Sequence, residues 1–311
     1  MTRTAAVAAS HSFFSQRLRL HYVDWGNADA PALLLVHGIH DHCRTWDDLV
    51  PALAPHFHVV APDLRGHGDS EWVKGAAYNY LDYLYDLHQL VQQAELAPVT
   101  LVGHSMGGSI ATLFAGVYPE LVARLVVIEG IGNWHAFQPP QPVHERVRAW
   151  VDGTRALAAR QPKRYPSLDA AYHRMQHANP QLEDTQALHL TVHGSNQNED
   201  GTFSWKYDNY THNFTPGGFT AAETMALWQR IHCPVLLINA DGGLEHRIGQ
   251  DDTARHFADV TLVEIEDAGH WTYHDQREAV LAQLTRFLGL SAGAVAGGQG
   301  RAHTNDVAKE D

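Results

Sequence analysis

Continuous apolar runs recur along the chain at 33–36, 57–61, 99–102, 125–128, 235–239 and 260–265. They are short, rich in Val, Leu and Ile, and most lack polar alternation. A strand that is apolar on both faces needs helices above and below it, as in a parallel sheet. The intervals supply those helices. Leu84, Leu87, His88, Val91 and Ala94 fall on one helical stripe, and so do Met106, Ile110, Leu113, Phe114 and Val117. Strand and helix in alternation predict a doubly wound α/β fold with a mostly parallel sheet.

The alternation stops between 133 and 228. No convincing strand stands there, and residues 143–160 and 168–177 carry helical patterning. An excursion of that length is too long for a loop and predicts an inserted, mostly helical domain. The sheet pattern resumes at Cys233-Pro234-Val235. The expected organisation is a first core segment over 1–132, an insertion over 133–228 and a second core segment over 229–290. A Gly- and Ala-rich, then polar, tail over 291–311 is expected to be disordered.

Composition narrows the partners. The chain has 311 residues, with 22 Lys plus Arg against 35 Asp plus Glu and a formal charge of -13. The pI of about 5.9 is higher than that charge suggests, because 23 His begin to titrate near it. An acidic surface disfavours nucleic acid and anionic membrane as standing partners. No apolar run reaches the roughly 18 residues of a membrane span. The first residues lack the apolar stretch of a secretory signal. Cys43 and Cys233 form neither a framework nor a CxxC pair. A cytoplasmic protein with reduced thiols, acting on a small molecule, is expected.

The most informative stretch is 99–108, an apolar strand followed by Gly103-His104-Ser105-Met106-Gly107 and a helical pattern. A sharp strand-to-helix turn at G-x-S-x-G holds its serine in strained backbone angles and lifts the hydroxyl above the sheet. Glycines on either side let strand and helix approach. The helix N-terminus directs free N–H groups toward an anion formed when the serine attacks a carbonyl.

With Val36-His37-Gly38, the polar run 62–70 and Ala268-Gly269-His270, this elbow resembles the α/β-hydrolases that carry a helical cap domain. The likeness covers roughly residues 17–289. Within that superfamily the chain is most similar to bacterial serine-hydrolase-like carboxylesterases, through 128–130, 164–167 and 205–208. The resemblance implies an α/β-hydrolase fold, an acyl-enzyme mechanism on carboxylic esters, and a triad in the order Ser, acid, His. It implies no cofactor and no catalytic metal. Lactonase, thioesterase and C–C bond hydrolase chemistry use the same triad, and a non-enzymatic binding protein can share the fold. Ser105 argues against relatives of this fold whose nucleophile is an aspartate.

Ser105 needs a base, and position selects His270, in the loop after the last strand. His274, one helical turn on, is its nearest competitor. His37, His40, His42 and His67 cluster in other loops, and His104 is expected to pack beside the oxyanion loop. The acid is open. The position usual for the family, counted from Pro234, falls on Gly243, with Asp241 two residues early and Glu245 two beyond. Glu129, after the strand at 125–128, is the leading candidate, since a carboxylate buried there needs a partner. Asp241 is the alternative. By position, the backbone N–H groups of Ile39 and Met106 are the expected oxyanion donors. The Arg and glycines of 62–70 are read as structural. Aromatics of the insertion are expected mainly to form its own core, with some facing an apolar cleft that has no basic cluster.

Overall fold

The computed structural model describes residues 7–132, 141–250 and 252–290. The expected disordered tail, Trp134 and Phe137 lie outside the described residues. Eight strands form one sheet in the order β1-β2-β4-β3-β5-β6-β9-β10. They are β1 (Ala9–Ser15), β2 (Leu18–Asp24), β3 (Ala32–Val36), β4 (His58–Pro62), β5 (Val99–His104), β6 (Val122–Ile128), β9 (Val235–Ala240) and β10 (Val260–Ile265). The last six run parallel, while β1 and β2 are antiparallel at one edge.

Alternate residues of each apolar run serve opposite faces. Leu34, Val36, Leu101, Leu125, Val127 and Leu237 pack on one side, with the helices Tyr80–Gln93 and Met106–Val117. Leu33, Leu35, Val102, Val126, Ile128 and Ile238 pack on the other, with Trp46 and the helix Arg277–Leu288. Both faces are buried under apolar side chains, which is why the central strands show no polar alternation.

From β3 the chain moves to β4 on one side, then returns to β5 on the other. The carboxyl ends of β3 and β5 are thus the switch point, where loops diverge and leave a crevice. Val36 pairs with Gly103 across it. The loop after β3 and the turn after β5 meet there.

Between β6 and β9 the chain leaves the sheet. Helices Val143–Ala158, Leu168–Ala178, Asp184–Gly194 and Ala221–Trp228 follow. The expectation of no strand in this stretch is corrected: β7 (Ser195–Gln197) and β8 (Phe203–Trp205) form a two-stranded antiparallel sheet. Each is three residues long, too short for an alternating pattern to register. The expectation that the aromatics mainly build the insertion's own core is corrected in part. Among the described residues, the buried cluster of this stretch is small: Leu182, Ala187 and Leu190. Tyr165 and Trp205 do pack on each other within it, but Phe214 stacks on Tyr80 and Tyr207 on His40 of the sheet domain.

Candidate active site

Ser105 sits at the turn between β5 and the helix Met106–Val117, with φ 52 and ψ -119. A left-handed angle on a residue with a Cβ stores strain of roughly 1–3 kcal/mol. The two glycines of the motif make the turn possible. A Cβ on Gly103 would run into the backbone of Gly107 and Gly108, and one on Gly107 into the backbone of Val36 and His37. Strand, helix and the loop after β3 are in backbone contact here.

The Ser105 hydroxyl lies 2.9 Å from Nε2 of His270, in the loop after β10. Nδ1 of the same ring lies 3.3 Å from Oε2 of Glu129. Glu129 follows β6 directly and is fully buried, with φ 50. Its Oε1 accepts the Ala240 N–H at 2.7 Å and its Oε2 the Leu244 N–H at 3.2 Å. The guanidinium of Arg247, also buried, donates to Oε1 at 3.1 Å and to the Ala240 carbonyl at 2.5 Å. A buried carboxylate with a cation and two backbone donors is compensated as an anion.

The structure brings Ser105, His270 and Glu129 together and leaves Asp241 out. The Asp241 carboxylate is exposed and accepts the N–H groups of Gly242, Asp267 and Ala268. Those bonds hold its acid below the usual carboxylate range. Glu245 is likewise exposed. His274 donates to or accepts from Thr45 and Gln186, at 3.0 and 2.6 Å, away from Ser105. Sequence reasoning missed Arg247. Its signal was an arginine seven residues past a strand end, which means nothing until the chain reverses and lays it on Glu129.

The oxyanion candidates meet at the same point. Gly38 packs against Ser105 and His104 so closely that a Cβ there would stand 3.2 Å from the Ser105 Cβ. Among the described residues, the N–H groups of Ile39 and Met106 have no backbone acceptor. His104 is fully buried beside this loop, and its Nε2 donates to the His270 carbonyl at 2.8 Å. Burial pushes the His104 ring well below its ordinary 6.5. The neutral ring therefore ties the His270 loop to β5.

The polar run 62–70 is consumed in the fold. Asp63 accepts from Cys43, Asp69 and His21 at 2.7–2.8 Å. Arg65 pairs with Asp86 through two bonds of 2.5 and 2.6 Å, both groups buried.

A cavity of about 380 Å³ reaches His270 and Ile39. Met175, Leu190, Trp205, Tyr207 and Trp271 give it apolar walls. The expected absence of basic groups is corrected, since Arg174 and Lys206 also line it, Lys206 being paired with Asp69 at 2.7 Å. A larger apolar cavity of about 490 Å³, lined by Tyr80, Leu113, Phe214 and Leu227 among others, contains none of Ser105, His270 or Glu129.

This site and fold define an α/β-hydrolase. The chain belongs to that family, whose model, described as the alpha/beta hydrolase fold, matches residues 31–276. It is 42% identical over 102 residues to an uncharacterized protein of Mycobacterium tuberculosis, a match covering 33% of this chain and 30% of that protein. It is 29% identical over 268 residues to an esterase of the same organism, covering 83% of this chain and 82% of the esterase. Among solved structures, a thioesterase domain from the curacin biosynthetic pathway superposes with a TM-score of 0.77 at 23% identity, over 89% of this chain and 99% of that domain. Among the described residues, no helix is long and apolar enough to cross a membrane.

Proposed function

We propose that this chain is a serine carboxylesterase acting on small to medium apolar or aryl esters. Ser105 attacks the ester carbonyl while His270 takes its proton. The tetrahedral oxyanion accepts the N–H groups of Ile39 and Met106, each such donor being worth roughly 2.7–4 kcal/mol. His270 then protonates the leaving alcohol. Water, deprotonated by the same ring, cleaves the acyl-enzyme and returns Ser105 to the free hydroxyl. Glu129 holds the ring tautomer and stabilises the imidazolium, and Arg247 holds Glu129. The excursion over 133–228 acts as a cap, since Met175, Leu190 and Trp205 wall the cavity at His270. No step needs a cofactor.

The observation that carries this reading is the 2.9 Å contact between a strained serine and a histidine that a buried carboxylate orients. The test is a p-nitrophenyl ester series from acetate to palmitate, with wild type and Ser105→Ala. Turnover lost in the variant supports the reading, and the chain-length optimum sizes the cavity. Absence of turnover on every ester overturns the ester assignment.

A further inference from the structure

His189 and His193 stand four residues apart on the helix Asp184–Gly194, so both rings leave the same face. Across from them, on the loop after β3, lies Asp47. Ligand atoms of the three residues all lie within 4.8 Å of one another. Nε2 of His189 is 3.3 Å from Oδ2 of Asp47. Tetrahedral zinc, with ligands at about 2.0–2.1 Å, separates neighbouring ligand atoms by about 3.3 Å. The two imidazole rings have centroids 4.6 Å apart. None of the three groups belongs to the site around Ser105.

We propose that Asp47, His189 and His193 form a site for one borderline transition-metal ion such as Zn2+, Co2+ or Ni2+. Two imidazole nitrogens and one carboxylate oxygen leave a fourth position for water, and the nitrogen content favours these ions over Mg2+ or Ca2+. All three residues are partly exposed, which gives an ion an entry path. The carboxylate of Asp47 is engaged by Arg44 through Nε and a terminal nitrogen at 2.5–2.9 Å. The ion competes with that pair. Arg44 is 28% exposed, so its side chain has solvent to move into.

The place of the site gives it a consequence. The helix Asp184–Gly194 already touches the sheet domain here, through His42 on the Leu190 carbonyl at 3.1 Å and through His189 Nε2 on the Arg44 carbonyl at 3.0 Å, a bond that an ion on that nitrogen replaces. Leu190 and Gly194 of the same helix wall the cavity at His270. An ion held by Asp47 on one side and two histidines on the other staples that wall to the loop carrying Ile39 and His40.

The full chain is titrated with Co2+ and followed by its visible absorption, and with Zn2+ by calorimetry and thermal unfolding. Wild type is expected to bind one more equivalent at micromolar metal than His193→Gln and Asp47→Asn. Co2+ in that equivalent gives the intense bands of four-coordination, and Zn2+ raises the unfolding temperature only in wild type. His173→Gln, on the neighbouring helix, keeps the wild-type count. Equal stoichiometry and affinity in wild type and both site variants overturns the proposal, as does no binding by wild type. Binding is read without ester turnover, so this outcome is separate from that of the esterase reading.

Discussion

The carboxylate of Glu129 fills the space that a side chain on Gly243 would occupy: a Cβ at 243 would collide with it and with the Arg247 guanidinium. Position 243, after β9, is where the family resemblance puts the acid. Glu129, the proposed acid, follows β6, one strand nearer the nucleophile than β9, and the usual position is left empty beside it. The two features require each other. Glu129→Gln is expected to lower kcat on activated esters by about 10²–10⁴, the scale on which a triad acid's loss is felt. Asp241→Asn is expected to stay within a fewfold of wild type. Steady-state kinetics of both variants checks this.

The same packing predicts a transfer of the acid. Glu129 has φ 50, a conformation glycine adopts freely. Glu129→Gly combined with Gly243→Asp places a carboxylate in the vacated volume. The double variant is expected to recover at least tenfold of the activity that Glu129→Gly alone loses. Gly243→Ala in the otherwise native chain is expected to cost activity and to lower the unfolding temperature, because the methyl group meets Glu129 and Arg247.

Arg247 is buried against a buried carboxylate, so its loss leaves a charge without compensation. Arg247→Met is expected to destabilise the fold by about 3–5 kcal/mol and to reduce turnover through a misplaced Glu129. Denaturant unfolding and kcat together test it. A variant as stable as wild type contradicts the role given to Arg247.

Several histidines are held neutral by burial. His40 is lowered to about 3, and His193 and His274 to about 4, from an ordinary 6.5. His37, His67 and His104 are lowered too, in each case chiefly by desolvation. As pH falls below 6.5 the unfolded chain takes up these protons and the folded chain does not. Stability is therefore expected to fall between about pH 6.5 and 4 and to be flat, for these groups, above 6.5. His212 is lowered as well, and His189, raised by Asp47, works in the opposite direction but is one group against seven. Unfolding free energies at pH 7.5 and 5.0 give the sign.

Gly38 carries the loop of the proposed oxyanion donor Ile39 past Ser105. A Cβ there would stand 2.9 Å from the His104 ring and 3.2 Å from the Ser105 Cβ. Gly38→Ala is expected to push the Ile39 N–H off its position and cut kcat at least tenfold with little change in KM. A change confined to KM contradicts the assignment.

Much of this was legible in the chain because its signals are local. The six apolar runs at 33–265 all became strands, and the G-x-S-x-G turn declares itself by three residues. The β1–β2 hairpin was not anticipated. Four of seven β1 residues in a row are exposed, so hydrophobic pattern is faint there. At the site, Gly243 was visible as a departure and Glu129 as a costly carboxylate, each from its own segment. What joins them, Arg247 and the backbone N–H groups of Ala240 and Leu244, arrives from 111–118 residues away. Only the folded sheet, with β6 beside β9, brings those groups to one point.

The most direct test is intact-mass analysis after reaction with a fluorophosphonate, on wild type, Ser105→Ala and Glu129→Gln. The account predicts one phosphonyl group on wild type, mapped to the peptide with Ser105, none on Ser105→Ala, and labelling slowed by at least tenfold on Glu129→Gln. Labelling of Ser105→Ala at the wild-type rate would place the nucleophile elsewhere and contradict the account.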